Sequence, residues 1–275
     1  MESRNRYQGI FPAFYACYDE SGDISQPRSQ ALARHLLAQG VQGLYVNGSS
    51  GECIYLSVDE RKRVLEAVME AVGDKLTVIA HVAANNTRDS VELARHAQAL
   101  GVDAIAAIPP IYFRLPEEAI ARYWNDISEA APETDFVIYN IPQLAGVALT
   151  PSLFGEMLKN PRVKAVKNSS MPVQDIEIFR SLGKGRITVF NGPDEQFVAG
   201  RVMGAEGGIG GTYGAMPRLF LKADHFIQSG SFEGARAIQV EINRVISLLL
   251  TGKGNLYAML KEVLRQKGII CGSVR

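Results

Sequence analysis

Lys167 closes a short apolar run, Val163-Lys164-Ala165-Val166-Lys167, and Asn168-Ser169-Ser170 follow it. On a strand, Val163, Ala165 and Lys167 would share one face, and lysine is rarely buried without a reason. Burial would desolvate its ammonium and lower its pKa. A free lysine leaves only ~1 amine in 2,500 neutral at pH 7. Lowering the pKa by about three units costs ~4 kcal/mol and yields a nucleophile able to form a Schiff base with a carbonyl compound. Taken alone, a strand-end lysine is more simply read as pointing to solvent or pairing with an acid. Lys164 falls on the other strand face and reads as structural.

Three further groups carry chemistry. Gly48-Ser49-Ser50-Gly51 combines hydroxyls with free amides on a tight turn, which suits an anion as well as it suits a plain strand-to-helix turn. With no Lys or Arg in it, a small carboxylate fits better than a phosphate. Tyr139 ends an apolar run; its hydroxyl could relay protons, although a core aromatic with a satisfied hydroxyl explains it equally. Asp194 and Glu195 either stabilise a helix start or line the pocket of a polyhydroxylated substrate. The four histidines show no H-x-x-x-H spacing and no G-x-S-x-G elbow occurs, which disfavours metal-dependent and serine-nucleophile chemistry.

The elements that must position these residues follow from the hydrophobic pattern. Eight apolar runs occur at 9–18, 41–46, 76–83, 102–108, 136–141, 163–166, 187–190 and 204–210. Most lack polar alternation, as expected of parallel strands buried on both faces. Helical patterns separate them. Ser57-Val58-Asp59-Glu60 is a capping-box signature, and Thr87-Arg88-Asp89-Ser90 opens a helix stopped by Gly101. Eight strand–helix repeats predict a (β/α)8 TIM barrel. The alternative, an open doubly wound sheet, normally carries a glycine-rich loop after its first strand; here that segment is Asp19-Glu20-Ser21-Gly22-Asp23. The barrel is expected over residues 1–225 as the catalytic domain, with a C-terminal helical extension over 226–275 carrying helices near 233–250 and 256–267. In such a barrel, active sites lie at the C-terminal strand ends, where each of the groups above falls.

Of 275 residues, 47% are hydrophobic and 21% charged, values of a folded globular chain. Twenty-nine basic residues balance twenty-nine acidic ones, which argues against nucleic-acid and polybasic membrane binding. Three distant cysteines give no disulfide or zinc framework, consistent with a reducing cytoplasm. The first six residues lead into no long apolar run, so no secretory signal is expected.

Gly48-Ser49-Ser50-Gly51-Glu52 after the second strand, Tyr139-Asn140-Ile141-Pro142 after the fifth and a lysine ending the sixth occur in an order and spacing that resembles the N-acetylneuraminate lyase and dihydrodipicolinate synthase family of Schiff-base aldolases. The resemblance runs from about Gly9 into the C-terminal helices. It implies that Lys167 is the Schiff-base lysine and Tyr139 the proton-shuttling tyrosine. Ser49 and Ser50 would grip the substrate carboxylate, with Ser49 also in the proton relay. Tyr112 would reach into a neighbouring subunit's site, which implies a tight dimer and, as is usual in the family, a homotetramer built as a dimer of dimers. Gly48, Ser169, Gly192, Asp194, Glu195, Gly210 and Gly211 would line the substrate. No cofactor or metal is implied, since the lysine is itself the covalent catalyst.

Within the family, Leu144 stands where the synthases carry an arginine, and Ile141-Pro142-Gln143-Leu144-Ala145-Gly146-Val147 is similar to the lyase branch, as is Asn191-Gly192-Pro193-Asp194-Glu195. Gly211 replaces a serine common in the lyases, and Ser169 stands where threonine is frequent. The implied activity is cleavage of a sialic acid to pyruvate and N-acetylmannosamine. The alternatives are dihydrodipicolinate synthase, another pyruvate-dependent 2-keto acid aldolase, or a catalytically retired keto-acid-binding protein.

Overall fold

Each of the eight apolar runs overlaps one strand of the structure, a computed structural model that describes residues 6–275. Residues 1–5, on which most of the reading of the N-terminus rests, lie outside the described residues. The strands are β1 Gly9–Pro12, β2 Gly43–Val46, β3 Thr77–His81, β4 Ala104–Ala107, β5 Asp135–Asn140, β6 Val163–Asn168, β7 Thr188–Asn191 and β8 Gly207–Gly210. All pairs are parallel, in the order β1-β8-β7-β6-β5-β4-β3-β2. The remaining gap, β1 to β2, is closed by a bridge between Ala13 and Tyr45. Phe14 N donates to Tyr45 O at 2.8 Å and Gln42 N to Ile10 O at 3.1 Å. The sheet is thus a TIM barrel and not an open doubly wound sheet.

The helices are α1 Gln26–Ala38, α2 Val58–Val72, α3 Thr87–Ala99, α4 Glu117–Glu129, α5 Pro142–Ala145, α6 Pro151–Met157, α7 Gln174–Leu182, α8 Phe197–Val202, α9 Pro217–Gln228, α10 Phe232–Leu250 and α11 Leu256–Gln266. The capping box of α2 forms as its sequence dictates: Glu60 N donates to Ser57 Oγ at 3.2 Å and Ser57 N to Glu60 Oε2 at 2.8 Å. Helix α3 opens at Thr87 as expected and is capped by the preceding Asn86, whose Oδ1 accepts from Asp89 N at 2.8 Å. Helix α9 is the barrel's eighth helix and runs across residue 225; α10 and α11 follow it at the C-terminus.

Period-two alternation splits the apolar residues into two cores. Phe11, Tyr45, Ile79, Val137, Ala165, Phe190 and Ile209 fill the barrel interior. Phe136, Ile138, Val163 and Val166 belong to the larger layer between strands and helices. Val163 and Ala165 were expected on one face, but they fall in different cores. The register between β5 and β6 shifts at Phe136/Val137, pairing Phe136 with Val163 and Val137 with Ala165. Lys164 is the extra residue of this bulge and is exposed. Beyond it the alternation resumes, so Ala165 and Lys167 both face inward. Among the described residues no helix is long and apolar enough to cross a membrane.

Candidate active site

Strand β6 carries Lys167 into the barrel mouth, paired in register with Tyr139 on β5 and Phe190 on β7. Lys167 is only 4% exposed. Its Nζ lies 4.2 Å from the ring centroid of Tyr45 and 3.9 Å from that of Tyr139. Burial pushes its pKa down to about 7, against an opposing pull from Asp194 and the Cys53 thiol. About half of the amine is then neutral at pH 7, roughly a thousandfold more than in a free lysine. The π faces accept whatever charge remains.

The turn after β2 is built by its neighbours. Asn47 takes φ 61°, a left-handed conformation uncommon for a side-chain-bearing residue. It is held there from two sides: its Nδ2 donates to Arg61 O at 2.8 Å, and its carbonyl accepts from His81 Nδ1 at 2.9 Å. With Nδ1 donating and Nε2 accepting from Ile108 N at 3.4 Å, His81 is the neutral Nδ1–H tautomer. Burial and the charges of Arg61 and Lys167 hold its pKa well below the usual range. Gly48 leaves room for Tyr45, since a Cβ there would meet the Tyr45 ring at 2.6 Å. The chain then makes a single 3-10 turn, Ser49–Gly51, which presents Ser49 and Ser50.

Burial raises the pKa of Tyr139 to about 12, with hydrogen bonds to Ser49 and Ser169 opposing the shift. Its phenol therefore stays protonated, with the Ser49 and Ser169 hydroxyls beside it. Just after β7, Asp194 Oδ2 accepts from Thr212 N at 2.7 Å and from Thr212 Oγ1 at 2.6 Å. Its Oδ1 is buried without a hydrogen-bond partner among the described residues, and burial raises this carboxyl to about 6. Three glycines keep the walls close. A Cβ on Gly192 would sit 2.0 Å from Ser169 Oγ, one on Gly210 2.0 Å from Asp194 Oδ1, and one on Gly211 3.2 Å from Ser50 Oγ.

The structure thus gathers Lys167, Tyr139, Gly48, Ser49, Ser50, Ser169, Gly192, Asp194, Gly210 and Gly211 at the C-terminal end of the barrel. Glu195 lies beside them but is exposed. Tyr112 stands apart from the lysine: it is 89% exposed, has φ 84° and packs edge-on against Phe113 at 4.9 Å. Sequence reasoning missed four contributors. Tyr45 and His81 follow from the same alternation that exposed Lys167. Arg61, buried in α2, donates to the carbonyls of Ala83 at 2.8 Å and His81 at 2.6 Å, and nothing in its local sequence marks it. Tyr257, from α11, lies 3.3 Å from Ser50 Oγ. A cavity of about 670 Å³ opens beside the β2 turn, lined by Ser49, Cys53, His81, Leu144 and Tyr257 among others. Among the described residues no group of three or more His, Cys, Asp or Glu could hold a metal ion.

A barrel with a buried, half-neutral lysine beside a protonated phenol has the layout of an enzyme of the carbon–carbon lyase class, an aldolase. Residues 6–275 match the dihydrodipicolinate synthetase family, and the chain belongs to it. It is 62% identical to N-acetylneuraminate lyase from Mediterraneibacter gnavus, an alignment covering 100% of this chain and 88% of that protein. N-acetylneuraminate lyase from Citrobacter koseri is 35% identical, over 96% of this chain and 88% of its own. The solved structure of a Ruminococcus gnavus sialic acid aldolase catalytic lysine mutant matches with a TM-score of 0.98 at 61% identity, covering 100% of this chain and 90% of that one.

Proposed function

We propose that the chain cleaves a sialic acid to pyruvate and N-acetylmannosamine through a Schiff base on Lys167. The observation that carries this reading is the lysine itself, buried at the barrel mouth with its pKa lowered to about 7. The 62% identity to an N-acetylneuraminate lyase supports the choice of substrate.

The open-chain 2-keto acid docks its carboxylate on Ser49, Ser50 and the amides of their turn. Neutral Nζ of Lys167 adds to the ketone carbon, and loss of water leaves an iminium. Tyr139 takes the proton of the C4 hydroxyl while passing its own to the docked carboxylate. The C3–C4 bond breaks, its electron pair flows into the iminium to give an enamine, and the aldehyde leaves. Protonation at C3 and addition of water release pyruvate and restore the amine. The orphaned Asp194 Oδ1, with Glu195, Ser169, Gly192, Gly210 and Gly211, offers polar contacts to the substrate's polyol tail. The reading calls for no cofactor, because the iminium is the electron sink.

The exposed Tyr112 fits a residue given to a neighbouring subunit, completing that subunit's relay in a homotetramer made of two tight dimers. The balanced charge and sparse, unpaired cysteines fit a cytoplasmic protein. The substrate assignment is tested by incubating the protein with N-acetylneuraminate and following pyruvate with lactate dehydrogenase and NADH. Turnover that disappears in Lys167→Ala is expected; a fully active Lys167→Ala variant would remove the lysine from the reaction.

A further inference from the structure

The geometry points to α11 as part of the carboxylate subsite, with Tyr257 as the positioning residue that sets the Ser50 hydroxyl. This rests on reading Ser49 and Ser50 as the carboxylate grip. Two residues of α11 reach two residues of the segment after β2. Tyr257 Oη lies 3.3 Å from Ser50 Oγ. Lys261 Nζ lies 3.1 Å from Glu52 Oε2, in an ion pair whose two side chains are each 3% exposed. Tyr257 and Lys261 are four residues apart and so project from one helix face.

Other contacts fix this clamp. Asn255 caps α11, its Oδ1 accepting from Ala258 N at 3.0 Å. The second oxygen of Glu52 accepts from Arg275 N at 2.8 Å. Sliding α11 along the turn would leave a buried charge unpaired, which is strongly unfavourable. The Tyr257 ring packs on Tyr15 at 6.3 Å, and Tyr15 Oη donates to Gly211 O at 2.6 Å. A Cβ at Gly211 would come within 3.2 Å of Ser50 Oγ and 3.8 Å of Tyr257, so the bare glycine leaves the hydroxyl pair its space.

Ser50 Oγ donates to Tyr257 Oη at 3.3 Å. When a carboxylate docks, Ser50 turns its O–H to the ligand and Tyr257 turns its O–H to Ser50 Oγ, since hydroxyl hydrogens rotate to suit. The phenol keeps its proton, because burial raises its pKa to about 12. Donation from the phenol polarises Ser50 and strengthens its bond to the ligand. The effect acts on binding of the carboxylate common to all 2-keto acids and leaves bond cleavage untouched.

The test is borohydride trapping of the full chain at graded pyruvate concentrations, in the wild type, Tyr257→Phe, Ser50→Ala and the double variant. Loss of one hydrogen bond is expected to raise the half-saturating pyruvate of Tyr257→Phe ~2–10-fold, with the trapping rate at saturation within about twofold of wild type. In the Ser50→Ala background the same substitution should have no further effect. Unchanged half-saturation in Tyr257→Phe, or an equal effect with Ser50 absent, would overturn the assignment. Failure of the wild type itself to trap pyruvate would instead sink the Schiff-base reading, and this inference with it.

Discussion

Replacing Lys167 with methionine should make the protein more stable, and by an amount that shrinks as pH rises. Burial takes the amine from 10.5 to about 7. Between those values the unfolded chain binds a proton that the folded chain does not, so wild-type stability rises with pH, by about 1.36 kcal/mol per unit. Below pH 7 both states are protonated and the full penalty of burying the charge is present; above about pH 10.5 it vanishes. The penalty is about 4 kcal/mol at pH 7 and about 2 kcal/mol at pH 9. Lys167→Met keeps an unbranched chain between the Tyr45 and Tyr139 rings and has no proton to lose. Urea denaturation of both proteins at the two pH values measures the gap. The variant is expected to be more stable at pH 7, with a gap about 2 kcal/mol narrower at pH 9. A gap equal at both pH values would mean that Lys167 is protonated in the fold, and the argument for a neutral nucleophile would fail.

Other consequences follow from the same site. In the proposed mechanism the nucleophile is neutral Lys167, so kcat/KM should drop about tenfold from pH 8 to pH 6, as the neutral fraction falls from ~0.9 to ~0.1; a profile still climbing between pH 8 and 10 would indicate an unperturbed lysine. Tyr139→Phe keeps the ring against Lys167 but removes the hydroxyl of the proposed relay, and should lower kcat ~10²–10⁴-fold in steady-state assays. Lys261→Met leaves Glu52 buried with, among the described residues, the Arg275 amide alone on its carboxylate, and should destabilise the protein by about 3–5 kcal/mol in urea denaturation.

Much of this was legible in the sequence because two periodicities carry it. The strands bury both faces and so read as unbroken apolar runs, and the capping box Ser57–Glu60 marks the start of α2 on local chemistry alone. Lys167 stood out because alternation along β6 sends it inward; the same rule applied to β2 and β3 would have found Tyr45 and His81. The bulge at Lys164 was not legible, since it depends on register against β5, and it moves Val163 to the outer core while leaving Lys167 in place. Helix α3 begins at Thr87, where its sequence places it, and the residue before it, Asn86, supplies the cap that the Thr87–Ser90 pattern does not single out. Arg61 and Tyr257 left no local trace: a buried arginine on an amphipathic helix looks like a surface one until Ala83 and His81 supply its acceptors, and Tyr257 meets Ser50 across 207 residues of chain.

The most direct test of the central claim is to incubate the protein with pyruvate, reduce with borohydride, and locate the added mass by peptide mapping. A single reduced adduct on Lys167 is expected, with Lys164 and Lys261 unmodified and no adduct in Lys167→Met. An adduct on another lysine, or none in folded protein, would contradict that claim.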